Sequence, residues 1–119
     1  MLGSINTMEI QSIKDIKLVR DIMHDSEFTE EDFDFDCEQK FFRIKSHSPD
    51  TGENFSLELH NVKTYDPQNL DKIRKGKATG GVFNTIKIKR KGLKLIILSQ
   101  DLHIVLTLDK IEGQLIINK

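Results

Sequence analysis

Leu102, Ile104, Leu106 and Leu108 fall at strict two-residue spacing, and this constrains the chain more than any other feature. Successive side chains of an extended strand point to opposite faces, so this spacing puts all four on one face. The same period runs through the last third. Val82, Ile86 and Ile88 alternate with Phe83, Lys87 and Lys89, then Leu93, Leu95 and Ile97 follow, and Leu115 with Ile117 closes the run beyond Gly113. Lys91-Gly92 and Ser99-Gln100-Asp101 are turn signals between these strands. Earlier, Phe33 and Phe35 alternate with Asp32, Asp34 and Asp36; Phe42 with Ile44, and Phe55, Leu57 and Leu59, repeat the pattern around a turn at Ser48-Pro49-Asp50-Thr51-Gly52. Connections this short suit antiparallel hairpins, because a parallel crossover needs a dozen or more residues. Six or seven strands are expected, with Asp66-Pro67 interrupting the sheet and a turn or two of helix near Leu70 and Ile73.

One segment follows a different period. Ile10, Ile13, Ile16, Val19, Ile22 and Met23 recur at spacings of three and four, with Lys14, Asp15, Lys17, Arg20 and Asp21 between them. That is an amphipathic helix, predicted from Ser12 to His24, with Ser12 and Asp15 as a capping pair. The fold expected is therefore α+β: an N-terminal helix packed on a mostly antiparallel sheet. At 119 residues one domain is expected, able to bury roughly two-thirds of its unfolded surface. Residues 1–8 of that domain are expected to be disordered or partly vector-derived.

Composition excludes several classes. The longest uncharged apolar run, Leu95–Leu98, is far short of the roughly 18 residues of a membrane span, and Met1–Met8 lacks the features of a secretory leader. Cys37 is the sole cysteine, which fits a reducing compartment and a cytoplasmic location. On the apolar side of its strand it is expected to be buried and inert. Asp32-x-Asp34-x-Asp36 opens like a calcium loop, but Cys37 and Arg43 stand where that loop needs Gly and a bidentate Glu. His24, His47, His60 and His103 show no metal-ligand spacing, His60 and His103 falling on polar strand faces. No metal or cofactor is expected. With a net charge of −1 and Phe83 the lone aromatic among the basic residues, nucleic acid is not an expected partner.

Charge is nonetheless sorted along the chain. Nine acidic residues and no Lys or Arg lie between Asp21 and Glu38; nine basic residues and no acidic one lie between Lys72 and Lys94. Either these regions face and neutralise one another, or they form opposite patches that steer a charged partner. Gly76-Lys77-Ala78-Thr79-Gly80-Gly81 lacks the Gly-Lys-Ser/Thr ending of a phosphate loop. Lys75, Lys77, Gly80 and Gly81 still offer a candidate anion-binding loop, which makes a small-ligand domain the alternative reading.

His24-Asp25-Ser26-Glu27-Phe28 joins the helix to the first strand. It resembles the His-Asp-Ser/Ala-Glu-hydrophobic signature of small bacterial proteins of unknown function, including immunity proteins found beside polymorphic toxins. Leu59-His60-Asn61-Val62 and Ile111–Ile117 are similar in rhythm. The resemblance implies a non-enzymatic interaction module whose acidic surface engages a protein partner, basic in charge, with a second copy of the chain as a further candidate. The partner-binding residues implied are His24, Asp25, Glu27, Glu30, Glu31 and Asp34. An acid-base enzyme built on His24, Asp25 and Glu27 would lack a nameable nucleophile, oxyanion donor or cofactor motif.

Overall fold

The computed structural model describes residues 5–28, 32–68, 81–89, 93–99 and 103–119. One helix, α1 (Ile13–Met23), follows strand β1 (Ile5–Ile10). Then come β2 (Glu27–Phe28), β3 (Phe33–Asp36), β4 (Phe41–His47), β5 (Asn54–Leu59) and β6 (Val62–Gln68). The chain closes with β7 (Gly81–Lys89), β8 (Lys94–Ser99), β9 (His103–Leu108) and β10 (Gly113–Asn118). The strand order is β1-β10-β5-β4-β2-β7-β8-β9-β6, with β3 alongside β4. The two-residue β2 is the seam, so there are two antiparallel sheets, β1-β10-β5-β4-β3 and β7-β8-β9-β6. Their inner faces share one core with α1.

The α+β class and antiparallel pairing follow the expectation, with ten strands among the described residues rather than six or seven; the helical turn expected near Leu70 and Ile73 lies outside them. Each additional strand has a physical reason. Ile5–Ile10 is an edge strand paired throughout with β10, so the chain enters the fold earlier than expected. Ile10 is fully buried from this strand, not from the helix. The two-residue β2 is too short to show any period. Strand β6 runs through Pro67, where an interruption was expected. It lies at the end of the strand order with β9 as its partner, and an edge strand tolerates the missing N–H of proline.

Local chemistry at the helix start matches the capping pair. Asp15 N–H donates to Ser12 Oγ at 3.3 Å, and Ser12 Oγ donates to Asp15 Oδ2 at 3.1 Å. The Gln11 N–H also donates to Asp15 Oδ2, at 2.9 Å. That bond, the largest influence, helped by Ser12, holds the Asp15 carboxyl below its ordinary range. Ile16, Val19 and Met23 form the buried stripe, whereas Leu18 and Ile22 remain exposed. The helix packs chiefly against β7 and also touches β1, bridging the two sheets from the inside.

Alternation decides the core elsewhere. Phe55, Leu57 and Leu59 face inward with Phe42 and Ile44, as do Leu95, Ile97, Ile104, Leu106 and Leu108. The Ser48–Gly52 turn closes with Gly52 N–H donating to Ser48 O at 2.9 Å, and Gly52 takes φ 77°, which suits a residue without Cβ. In β3, Phe33 and Phe35 pack against the core while Asp34 and Asp36 are exposed. Asp32 precedes this strand and is half-buried. Cys37 is exposed, not buried. The strand ends at Asp36, whose carboxylate accepts the N–H groups of Glu38 and Gln39 at 3.0 and 3.1 Å, so Cys37 sits in a turn. Tyr65 of β6 approaches Phe35 and Phe42, with ring centroids 5.5 and 5.6 Å away, and ties the second sheet to the first.

Six of the nine residues of the basic stretch, and Glu30 and Glu31 of the acidic one, lie outside the described residues. The two stretches meet at β2, where Glu27 and Phe28 pair with Val82 and Gly81. Asp34 pairs with Arg43 of the adjacent strand, at 3.3 Å, and Lys87 and Lys89 lie toward the far end of β7.

Candidate functional site

The His24–Phe28 motif is first a joint. His24 leaves the helix with extended ψ, Asp25 takes a left-handed φ of 65°, and Ser26 N–H donates to Met23 O at 3.0 Å. Aspartate is among the few non-glycine residues that enter this region at small cost. From there the alternation of β2 sorts the side chains. Ser26 is buried and its hydroxyl meets that of Ser46 at 2.9 Å, so neither polar group is left unpaired in the core. Phe28 is buried edge-on against Phe33, with centroids 5.4 Å apart. Asp25 and Glu27 face solvent. His24 Nδ1 and Asp25 Oδ2 lie 3.1 Å apart at an exposed corner.

Glu27 stands opposite His47 in the β2–β4 ladder. The register then continues outward from His47 to Asn54, Asn118 and Ile5. Parallel to it runs a second row, Lys45, Ser56, Ile116 and Thr7. Between these rows opens a cleft of about 410 Å³ lined by Glu27, Asp32, Lys45, His47, Asn54 and Ser56, among others. His47 Nδ1 lies 2.9 Å from Asn54 Oδ1, which fixes the ring at the cleft wall. A third row, Asp34, Arg43, Glu58, Gln114 and Glu9, crosses the same outer face. Within it Gln114 Nε2 donates to Glu58 Oε1 at 2.6 Å.

This outer face thus gathers Glu9, Glu27, Asp34, Asp36 and Glu58 against Arg43 and Lys45. The outer face of the second sheet carries Lys87, Lys89 and Lys94, with Asp66 across the ladder. Among the described residues, Glu27, Asp34 and Asp36 of the acidic stretch lie on the first outer face, and Lys87, Lys89 and Lys94 of the basic stretch on the second.

Of the residues expected at a partner surface, Glu27 lines the cleft, and Asp34 lies on the same outer face. His24 and Asp25 sit at the helix corner and do not line the cleft. Glu30 and Glu31 lie outside the described residues. So do Lys75, Lys77 and Gly80 of the expected anion loop; Gly81 begins β7 opposite Phe28. Lys45, His47, Asn54, Ser56 and Asn118 were not singled out from sequence. Alternation assigns most of them to an outer face, but no local signal says that β10, β5 and β4 are neighbours.

The other histidines are dispersed. His60 is exposed, its ring 5.5 Å from Phe41. His103 is half-buried, and among the described residues its Nε2 is buried without a partner, which differs from the solvated position expected. Among the described residues no group of three His, Cys, Asp or Glu could hold a metal ion, and no helix is long and apolar enough to cross a membrane. Comparison with protein-family models, with curated proteins and with solved structures finds no match.

Proposed function

We propose that this chain is a protein-interaction module whose first sheet presents an acidic outer face to a basic partner. The observation that carries the reading is the placement of Glu9, Glu27, Asp34, Asp36 and Glu58 on one face, remote from Lys87 and Lys89 at the far end of β7. Exposed carboxylates spaced along a sheet attract a cationic surface and speed its docking. The cleft beside Glu27 and Asp32 gives one Lys or Arg side chain of the partner a place to enter, with Asn54, Ser56 and Asn118 as hydrogen-bonding walls. The His24–Phe28 resemblance supports an immunity-like role, in which the acidic face covers a basic protein such as a nuclease toxin.

Affinity capture from the native host, followed by calorimetry with the purified partner, tests this. The partner should be basic, and binding should weaken strongly as salt rises from about 0.1 to about 0.5 M, where screening lengths fall below 10 Å. Glu27→Lys with Asp34→Lys should abolish it while the melting curve stays close to that of the parent chain. Undiminished binding by this folded variant, or indifference to salt, would refute the acidic-face reading.

A further inference from the structure

A second cleft, opposite to the acidic rows in charge and composition, opens between α1 and β7. Helix residues Ile13, Ile16, Lys17 and Arg20 follow i, i+3, i+4, i+7 spacing and so share one face. Along β7, Ile86, Lys87, Ile88 and Lys89 complete the lining of about 380 Å³. Residues of both faces of β7 contribute to this lining, and the strand is paired unevenly. It pairs with β8 from Phe83 to Lys89, but with β2 only at Gly81 and Val82. Helix α1 packs chiefly against this strand.

The chemistry is that of an amphiphile site. The floor is apolar: Ile16 and Ile86 are buried, Ile13 and Ile88 half-buried. Among the described residues the rim holds Lys17, Arg20, Lys87 and Lys89, and no carboxylate lines the cleft. Asp21 engages Arg20 through Nε at 3.2 Å, on a side chain 38% exposed. Gathering like charges around an apolar floor is unfavourable until an anion arrives. Carboxylates and phosphates accept strongly from Lys and Arg donors. The volume falls within the range of small-molecule sites, which are mostly apolar with a few placed polar groups.

We propose that this cleft binds a free anionic amphiphile, a medium-length acyl or alkyl chain ending in a carboxylate or phosphate. The chain lies over Ile13, Ile16, Ile86 and Ile88, and the head is held by Lys87 and Lys89 with Lys17 or Arg20.

The test titrates the full chain with decyl phosphate and decanoate below their micelle concentrations, by calorimetry and by displacement of 1-anilinonaphthalene-8-sulfonate fluorescence. Parallel arms use inorganic phosphate, the neutral decyl maltoside, and vesicles of anionic phospholipid. Saturable binding of the decyl anions is expected, with a rise in melting temperature as for any ligand of the native state. Lys87→Glu with Lys89→Glu should weaken it about tenfold or more, by reversing charges at the head group. If that variant does not fold, Lys17→Gln with Arg20→Gln carries the same expectation from the helix side. Equal affinity in a folded variant, or for decyl maltoside, would overturn the proposal. So would binding of inorganic phosphate as tight as that of decyl phosphate, or binding to vesicles alone, which would mark a membrane-surface patch instead. Because these side chains are absent from the acidic face, the outcome is independent of the partner experiment.

Discussion

Replacing Leu106 by alanine probes the join between the second sheet and the common core. Leu106 is fully buried in β9, between Tyr65 of β6 and Leu95 of β8 in the ladders. Tyr65 in turn reaches Phe42 and Phe35 of the first sheet, so a neighbour of the space vacated is itself held by packing and cannot readily move in to fill it. Burial this complete places the cost in the upper part of the range for such truncations, about 3–5 kcal/mol. At this chain length that corresponds to a fall in melting temperature of about 12–20 °C. Val105→Ala, one residue away on the outer face and half-buried, should cost about 1 kcal/mol or less. Urea melts and calorimetry on the two variants decide the matter. A Leu106 variant within a few degrees of the parent, or a Val105 variant that is the weaker of the two, would show that the register of β9 is wrong by one residue.

A methyl group at Gly113 should be still less tolerable: an added Cβ would stand 2.1 Å from the Glu58 carbonyl oxygen and 3.0 Å from Leu59 Cα. Gly113→Ala is therefore expected to loosen β10 from β5, seen as lost amide protection in hydrogen exchange along Gly113–Asn118, and full protection would contradict the close approach. A pH dependence follows from Asp15, whose carboxyl is held low chiefly by the Gln11 N–H and also by Ser12. A lowered folded value adds stability that is present above the ordinary aspartate range and is lost as pH falls through the folded value. The stability advantage of the parent over Asp15→Asn should thus be greatest near neutrality and vanish in acid; a difference that grows on acidification would refute the capping assignment.

Elements whose cause is local were legible from residues alone. The helix needs its three-and-four spacing and a cap, and Ile16, Val19, Met23, Ser12 and Asp15 supply both within a dozen positions. The strands around Leu57 and Leu106 likewise announce their buried faces by period two. The resemblance at His24–Phe28 drew attention to a segment that contributes Glu27 to the cleft, although the motif's spacing says nothing of Ser26 meeting Ser46 twenty residues away.

Other features depend on partners distant in the chain. Pro67 reads as a break until β6 proves to lie at an edge, where the missing N–H costs little. Ile5–Ile10 becomes a strand because β10, more than a hundred residues later, pairs with it, and β2 is a strand because β4 and β7 flank it. Cys37 follows the apolar phase of β3, yet the turn begun by Asp36 carries it into solvent. The same distinction governs the charges. The sequence sorts acids and bases into separate stretches, but which of the described ones share a face comes from which strands pair. Periodicity reports the direction of a side chain relative to its own backbone; it carries no information about the strand that will lie beside it. Both clefts are made by such neighbours, one by β4, β5 and β10, the other by α1 against β7.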